Sequence, residues 1–283
     1  MQQQMSTIAR ARPLRRLPRP LREGSARFLK SHRRLLWRIT RNELRARYAG
    51  SHLGNVWVVL APALLLVVYA VTYVAILRIR LAGLTPAEYV IFIFSGLVPY
   101  LMTAEALSSG VTSVLTNKSV LNNTVFPIDL APVKAVLTAQ ATMVVGMAAT
   151  LAGAVAIGTF SWTVVLLPAI WLLNVVSLIG IVWFLSLLNV IFRDIQNLLT
   201  PVLMVMLVIS PIAYTPEIVP DSLKPLILLN PFAYFVVAYQ QVITLGIYPG
   251  PLHALALVLL AVVPFVAGSW FFSAAKRVIV DYV

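Results

Sequence analysis

Six apolar runs, each near the length that crosses a bilayer, constrain this chain more than any other feature. They cover Val56–Leu77, Tyr89–Leu107, Val133–Ile157, Trp162 to about Phe192, Ile195–Ala213 and Pro251–Phe272. A span needs roughly 20 predominantly apolar residues. In lipid every backbone polar group must find its partner within the protein, so such runs become α-helices. The fourth run is too long for one straight crossing and is expected to tilt or to extend into water. Of the 283 residues, 60% are hydrophobic and only 11% charged, with mean hydropathy +0.90. Soluble domains carry roughly 25% charged residues. The expectation is an all-α membrane protein with six transmembrane helices.

The net charge of +13 resembles a nucleic-acid signature, but its placement argues for the membrane. Of the 22 Lys and Arg residues, 14 lie in the first 50 positions. With the N-terminus inside, the cytoplasmic face also receives Lys118, Lys134, Arg193, Lys276 and Arg277, and the outside only Arg78, Arg80 and Lys224. That bias puts both termini in the cytoplasm. Residues 1–26, rich in Pro and Arg, read as a flexible basic tail and not as a cleaved signal peptide. Residues 27–54 read as an amphipathic helix and turn, 55–275 as the six-span domain, and 276–283 as a second cytoplasmic tail. No RNA-binding or zinc-binding pattern accompanies the charge, so no nucleic-acid partner is expected.

At about 100° per residue, Arg34, Arg38, Arg41 and Arg45 fall on one narrow arc of the amphipathic stretch. Leu35, Leu36, Trp37, Ile39 and Leu44 occupy most of the rest. A charged stripe opposite an apolar face suits a helix lying in a membrane interface, with the arginines among lipid headgroups. Arg33, Glu43 and Arg47 break the pattern by falling in the apolar sector. A solvated basic helix that only obeys the positive-inside bias is the plainer alternative. Gly50, Ser51 and Gly54 form a small-residue corner that can turn the chain into the membrane.

What is missing narrows the function. There is no G-x-x-x-x-G-K-[ST], so the chain has no phosphate-cradling loop of its own. With no cysteine, there is neither a disulfide nor a thiolate site. There is no H-E-x-x-H, and His32, His52 and His253 are dispersed. No metal site or cofactor is expected on this chain. Its nine acids fall mostly at span ends or in loops. Glu105, near the end of the second run, is the nearest to a mid-membrane carboxylate and is expected to face a polar cavity or the cytoplasmic boundary. No internal repeat is evident, which disfavours an inverted-repeat secondary transporter. If the chain transports, its energy comes from another subunit.

Three segments suit such a role. The polar stretch 108–132 is closed by Pro127 and Pro132 and can offer a small helix to a partner's groove, or be a plain connector. Arg193-Asp194 ends the fourth run and suits a positional role. Residues 214–250 are apolar but broken by Pro216, Pro220, Pro225, Pro231 and Pro249, which forbids a continuous span. They read as a pair of short re-entrant helices near an exit. Aromatic residues recur along the path: Tyr69 and Tyr73 on one face of the first run, Phe92 and Tyr100 in the second, and Tyr214, Tyr234 and Tyr239 around the broken region. Such rings can stack on sugars, though Tyr is also common at membrane interfaces.

Five motifs in order carry a resemblance: R-N-E-L-R-A-R-Y-x-x-S-x-L-G-x-x-W (Arg41–Trp57), T-V-F-P (Thr124–Pro127), F-R-D (Phe192–Asp194), S-P-I-A-Y (Ser210–Tyr214) and N-P-F (Asn230–Phe232). The chain resembles, over roughly residues 36–275, the permease subunits of ABC-type polysaccharide exporters, which move O-antigen, capsule or teichoic acid chains. The resemblance implies a homodimer of six-span permeases with two separate nucleotide-binding subunits holding ATP and Mg. It implies an interface helix at Arg34, Trp37, Arg38, Arg41, Arg45 and Arg47. It implies a coupling helix at Lys118, Asn122, Asn123, Thr124, Phe126, Pro127 and Asp129, and an exit gate at Pro216, Pro220, Pro225, Asn230 and Pro231. It also implies an aromatic channel at the dimer interface, to which Tyr69, Tyr73, Phe92, Tyr100, Tyr214, Tyr234 and Tyr239 are assigned. The substrate would be a lipid-linked polysaccharide crossing the cytoplasmic membrane. A small-molecule or lipid exporter of the same architecture is the alternative, followed by a membrane-embedded glycosyl- or acyltransferase.

Overall fold

The computed structural model describes residues 29–47, 50–76, 78, 79, 81, 83–117 and 127–280, the side chains of residues 55 and 276–280 excepted. All regular structure among the described residues is helical. The amphipathic helix α1 is Arg33–Arg47. Helix α2 is Trp57–Ala70, continued as a wider π-helical turn over Val71–Ile76. Then come α3 (Pro86–Thr116), α4 (Leu130–Ala156), and a 3₁₀ turn at Trp162–Leu166 that leads into α5 (Leu167–Ile191). Helix α6 is Asp194–Ile209; two short helices follow, α7 (Lys224–Leu229) and α8 (Pro231–Gln240), the latter extended by a π turn at Gln241–Leu245. The last helix, α9, runs Pro251–Val280.

Among the described residues, five helices are long and apolar enough to cross a membrane: α2 with its π turn, α3, α4, α5 with its 3₁₀ turn, and α9. The fifth apolar run of the sequence yields a shorter element. Helix α6 has 16 residues, about 24 Å at 1.5 Å per residue, against a hydrocarbon core of roughly 30 Å. It stops at Ser210 because Pro211 has no amide to donate to the helix.

Helix α3 is the central post. A capping box starts it: Glu88 N donates to Thr85 Oγ1 at 3.3 Å and Thr85 N donates to Glu88 Oε2 at 2.7 Å, with Pro86 in the first turn. Its apolar stretch is mostly buried, against α4, α5, α6 and α8. It also runs further than the apolar pattern suggests, through the polar residues 108–116. There the hydroxyls fold back onto the helix: Ser109 Oγ donates to Glu105 O at 2.7 Å and Thr116 Oγ1 to Thr112 O at 2.7 Å. Self-satisfied Ser and Thr side chains let a polar stretch stay helical. Helix α3 thereby takes in residues 108–116 of the expected loop, and α4 begins at Leu130, before the loop's expected end at 132; residues 118–126 lie outside the described residues. Helix α2 is the opposite case: of its described residues only Leu66 is buried.

Helices α5 and α9 make the closest contact in the bundle. A Cβ on Gly180 would stand 2.2 Å from the Pro264 carbonyl carbon, and one on Gly268 2.0 Å from the Gly180 carbonyl oxygen. Only hydrogen fits at either position. Small residues that allow backbone approach are a common way to pack helices in lipid, where the hydrophobic effect gives little. Trp183 then meets Phe265 (ring centroids 5.4 Å) and Phe272 (6.3 Å), and Phe184 meets Phe271 (4.7 Å). Gly180→Ala is expected to push α5 and α9 apart at a cost of roughly 1–3 kcal/mol, lowering the thermal unfolding midpoint in detergent. Gly250→Ala, which meets open space, is the matched control and should leave the midpoint unchanged.

Candidate functional site

Helix α1 grips the bundle lightly and directionally. Only Leu36 and Thr40 of its residues are buried, and the helix lies along α4. Arg34, Arg38, Arg41 and Arg45 are exposed, and Trp37 is 69% exposed, so both stripe and tryptophan face away from the protein. Of the three charges off the stripe, Arg33 is exposed, while Glu43 and Arg47 reach the bundle. Lys134 Nζ donates to Glu43 Oε2 at 3.0 Å and to Asn117 Oδ1 at 3.2 Å. Arg47 Nη1 donates to Glu105 Oε1, while Thr142 Oγ1 donates to Glu105 Oε2 at 2.5 Å. The two ties meet α4 about two turns apart. Lys134 is only 13% exposed and Glu43 is 52% exposed. An exposed pair contributes at most about 1 kcal/mol, but a nearly buried ammonium that loses its partner costs several times more.

At the opposite end of α3 the backbone breaks between α6 and α8, and side chains supply what the helix no longer can. Asn230 is buried and triply used: its Oδ1 accepts from Phe232 N at 3.0 Å, and its Nδ2 donates to Ser210 Oγ at 2.8 Å and Met206 O at 3.3 Å. Gln240 Nε2 donates to Pro211 O at 2.9 Å and Ile212 O at 3.1 Å. Tyr89 OH donates to Ala213 O at 2.7 Å. Four successive residues of S-P-I-A-Y, Ser210 through Ala213, are thus held by groups from α3, α8 and the α7–α8 junction. Irregular backbone at membrane depth requires this kind of internal satisfaction.

The aromatic residues assigned from sequence divide into two sets. Tyr69, Tyr73 and Tyr214 are half-buried, with the rings of Tyr69 and Tyr73 stacked 6.0 Å apart. Tyr73 lies close enough to Tyr69 and Tyr214 for their hydroxyl groups to act on one another, and these three half-buried residues form one tyrosine wall, whereas the hydroxyls of Tyr89 and Tyr100 are taken up by Ala213 O and Leu203 O. Phe92, Tyr100 and Tyr239 belong to the core of the chain itself, at 1%, 3% and 0% exposure. Tyr100 OH donates to Leu203 O and so pins α6 to α3. Tyr234 is half-buried, its hydroxyl donating to Leu228 O at 3.2 Å and its ring edge-on to His253.

Lys118, Asn122, Asn123, Thr124 and Phe126 lie outside the described residues. Pro127 O accepts from Leu130 N at 3.0 Å, and Asp129 O accepts from Trp183 Nε1 at 3.0 Å, which fixes the start of α4 against α5. Pro216 opens a 3₁₀ turn, Pro225 and Pro231 sit in the first turns of α7 and α8, and Pro220 O accepts from Leu223 N at 2.9 Å. Sequence reasoning did not single out Gln240, Lys134, Asn117 or Thr142 for these contacts. The one legible signal was that Glu43 and Arg47 violate the helical arc of α1. Among the described residues no group of His, Asp and Glu could hold a metal ion.

An all-helical bundle with five helices long and apolar enough to cross a membrane, a basic amphipathic helix docked by ion pairs, and an apolar segment broken into short helices is the frame of a multi-pass membrane protein. Residues 34–244 match the ABC-2 type transporter membrane family, and the chain belongs to it. It is similar to the O-antigen export system permease protein RfbA of Myxococcus xanthus, 28% identical over 254 residues, covering 89% of this chain and 96% of that one. It is also similar to the O-antigen export system permease protein RfbA of Klebsiella pneumoniae, 26% identical over 215 residues, covering 75% and 81%.

The break makes a direct prediction. Gln240→Leu keeps the volume but leaves the Pro211 and Ile212 carbonyls without their donor, at about 1–3 kcal/mol for each buried unmet group. Hydrogen exchange should rise locally over 210–214 and stay unchanged in α5 and α9.

Proposed function

We propose that this chain is the transport subunit of an ATP-driven exporter that moves a lipid-linked polysaccharide, of the O-antigen type, across the cytoplasmic membrane. The observation that carries the reading is the tyrosine wall of Tyr69 and Tyr73 on α2 and its π turn, with Tyr214 beside them; α2 is the least buried of the long helices. A second copy of the chain, placed against α2 and α6, would cover their exposed apolar faces and enclose a pore between the two walls. Tyr rings offer flat stacking surfaces and hydroxyls, which suits sugar units passing in series. The names of the relatives, both O-antigen export permeases, support the same substrate class.

In this reading α6 is the fifth of six crossings, short because the path of the substrate opens where it breaks, and α7 and α8 flank the exit. The positive-inside bias supports cytoplasmic termini. Energy comes from two nucleotide-binding subunits, since the chain has no phosphate loop. Segment 118–129 is proposed as the contact with them. The stripe of Arg34, Arg38, Arg41 and Arg45 meets anionic headgroups, and the pyrophosphate of an arriving substrate has the same chemistry.

Two experiments test the proposal. Tyr69→Ala with Tyr73→Ala removes two stacking surfaces of about 1 kcal/mol each, roughly a 30-fold fall in export of long glycan. Unchanged export by a correctly inserted double variant contradicts the channel. Changing the four stripe arginines to Gln removes roughly 1 kcal/mol of anionic-lipid attraction per residue. Export should then lose its dependence on anionic lipid content; a dependence equal to wild type contradicts the stripe's role.

A further inference from the structure

The two ties of α1 differ in what they are tied to. Arg47 meets Glu105, whose second oxygen is held by Thr142, so this contact sits where α3 and α4 already hold each other. It fixes one point of α1 to the contact between α3 and α4. Lys134 is different. Its ammonium joins Glu43 on α1 to Asn117, the residue that ends α3, and Lys134 itself lies in the second turn of α4. Asn117 is held in turn, its Nδ2 donating to Ser113 O at 2.7 Å. One nearly buried cation therefore connects three helices at the place where α3 ends and α4 begins.

The apolar grip of α1 is narrow: Leu36 enters the core and Ile39 packs partly against it, so the two ion-pair ties do much to set its position. A helix held at one fixed point and at one point tied to helix ends turns about the first when the second moves. We infer that Lys134 is the positioning residue that carries α1 along with the paired ends of α3 and α4 during the transport cycle, with the Arg47–Glu105 contact as the pivot. The helix that bears the arginine stripe then changes its tilt at the membrane surface whenever those helix ends are displaced. The source of the displacement rests on the proposed function: it is the partner ATPase.

The chain has no cysteine, so labels can be placed without background. Leu35 on α1, at the far end of the helix from the Arg47 pivot, and Trp270 on α9 are both exposed, and α9 is locked to α5 at Gly180 and Gly268. Leu35→Cys and Trp270→Cys carry spin labels in the full permease–ATPase complex in lipid, and the distance is read with and without ATP. The expected result is an ATP-dependent shift on the order of 2 Å or more, within the range of helix shifts in switching proteins. Lys134→Met and Glu43→Gln should each remove at least half of that shift while ATP hydrolysis continues. The exchanged pair, Glu43→Lys with Lys134→Glu, should restore it.

Glu43→Gln changes a half-exposed group and keeps the test valid if Lys134→Met does not assemble. An unchanged shift in Glu43→Gln overturns the inference, as does the absence of any shift in the labelled wild type. A merely structural Lys134 would lower the unfolding midpoint and ATP hydrolysis together without altering the shift, which also overturns it. If the shift is present and lost as described but wild-type complex exports no lipid-linked glycan, the export reading fails and the positioning role of Lys134 stands.

Discussion

A backbone that leaves the helix inside lipid must be given partners by the rest of the chain, and that requirement shapes this protein. Pro211 stops α6 and Pro231 opens α8, so backbone groups between them lose their helical partners. The chain answers with Asn230, Gln240 and Tyr89, drawn from three elements, each donating to a freed carbonyl or capping a freed amide. These contacts fix α6 and the α7–α8 pair against the central post α3. With these carbonyls held, the break is a defined feature of the fold.

The other end of the molecule is organised by charge. Membrane helices have little hydrophobic incentive to choose one partner over another, so directional contacts decide position. Helix α1 shows this in its two faces. Its arginine stripe looks away from the protein, towards a surface that suits anionic headgroups. Its inward charges, Glu43 and Arg47, find Lys134 and Glu105. The same short helix is therefore fastened to the bundle and free to meet the membrane or a charged substrate.

Much of the fold was legible because composition and helical period act locally. The apolar runs became helices with shifts of a few residues, except that α3 and α9 run eight or nine residues past the expected ends, and the prolines of 214–250 marked the broken region. The polar stretch 108–116 misled, because Ser and Thr that bond their own helix look the same in sequence as a loop. The short α6 was hidden because Pro211 interrupts an apolar run without changing its hydropathy. The site was harder to read. Arg47 and Glu105 are 58 positions apart, and Tyr89 and Ala213 are 124 apart, distances that no local pattern spans. Tyr239 and Tyr73 look equivalent in sequence, yet one is core and the other is on the tyrosine wall.

A tyrosine wall on a barely buried helix, a braced break near one end and a charge-fastened helix at the other fit a passage driven from outside this chain. Reconstitution tests that most directly. The permease, alone and with its ATPase partner, is placed in vesicles loaded on one side with a fluorescent lipid-linked polysaccharide. The account predicts ATP-dependent movement of the glycan to the other side only when both proteins are present. ATP hydrolysis by the complex without glycan movement, or glycan movement by the permease alone, would contradict it.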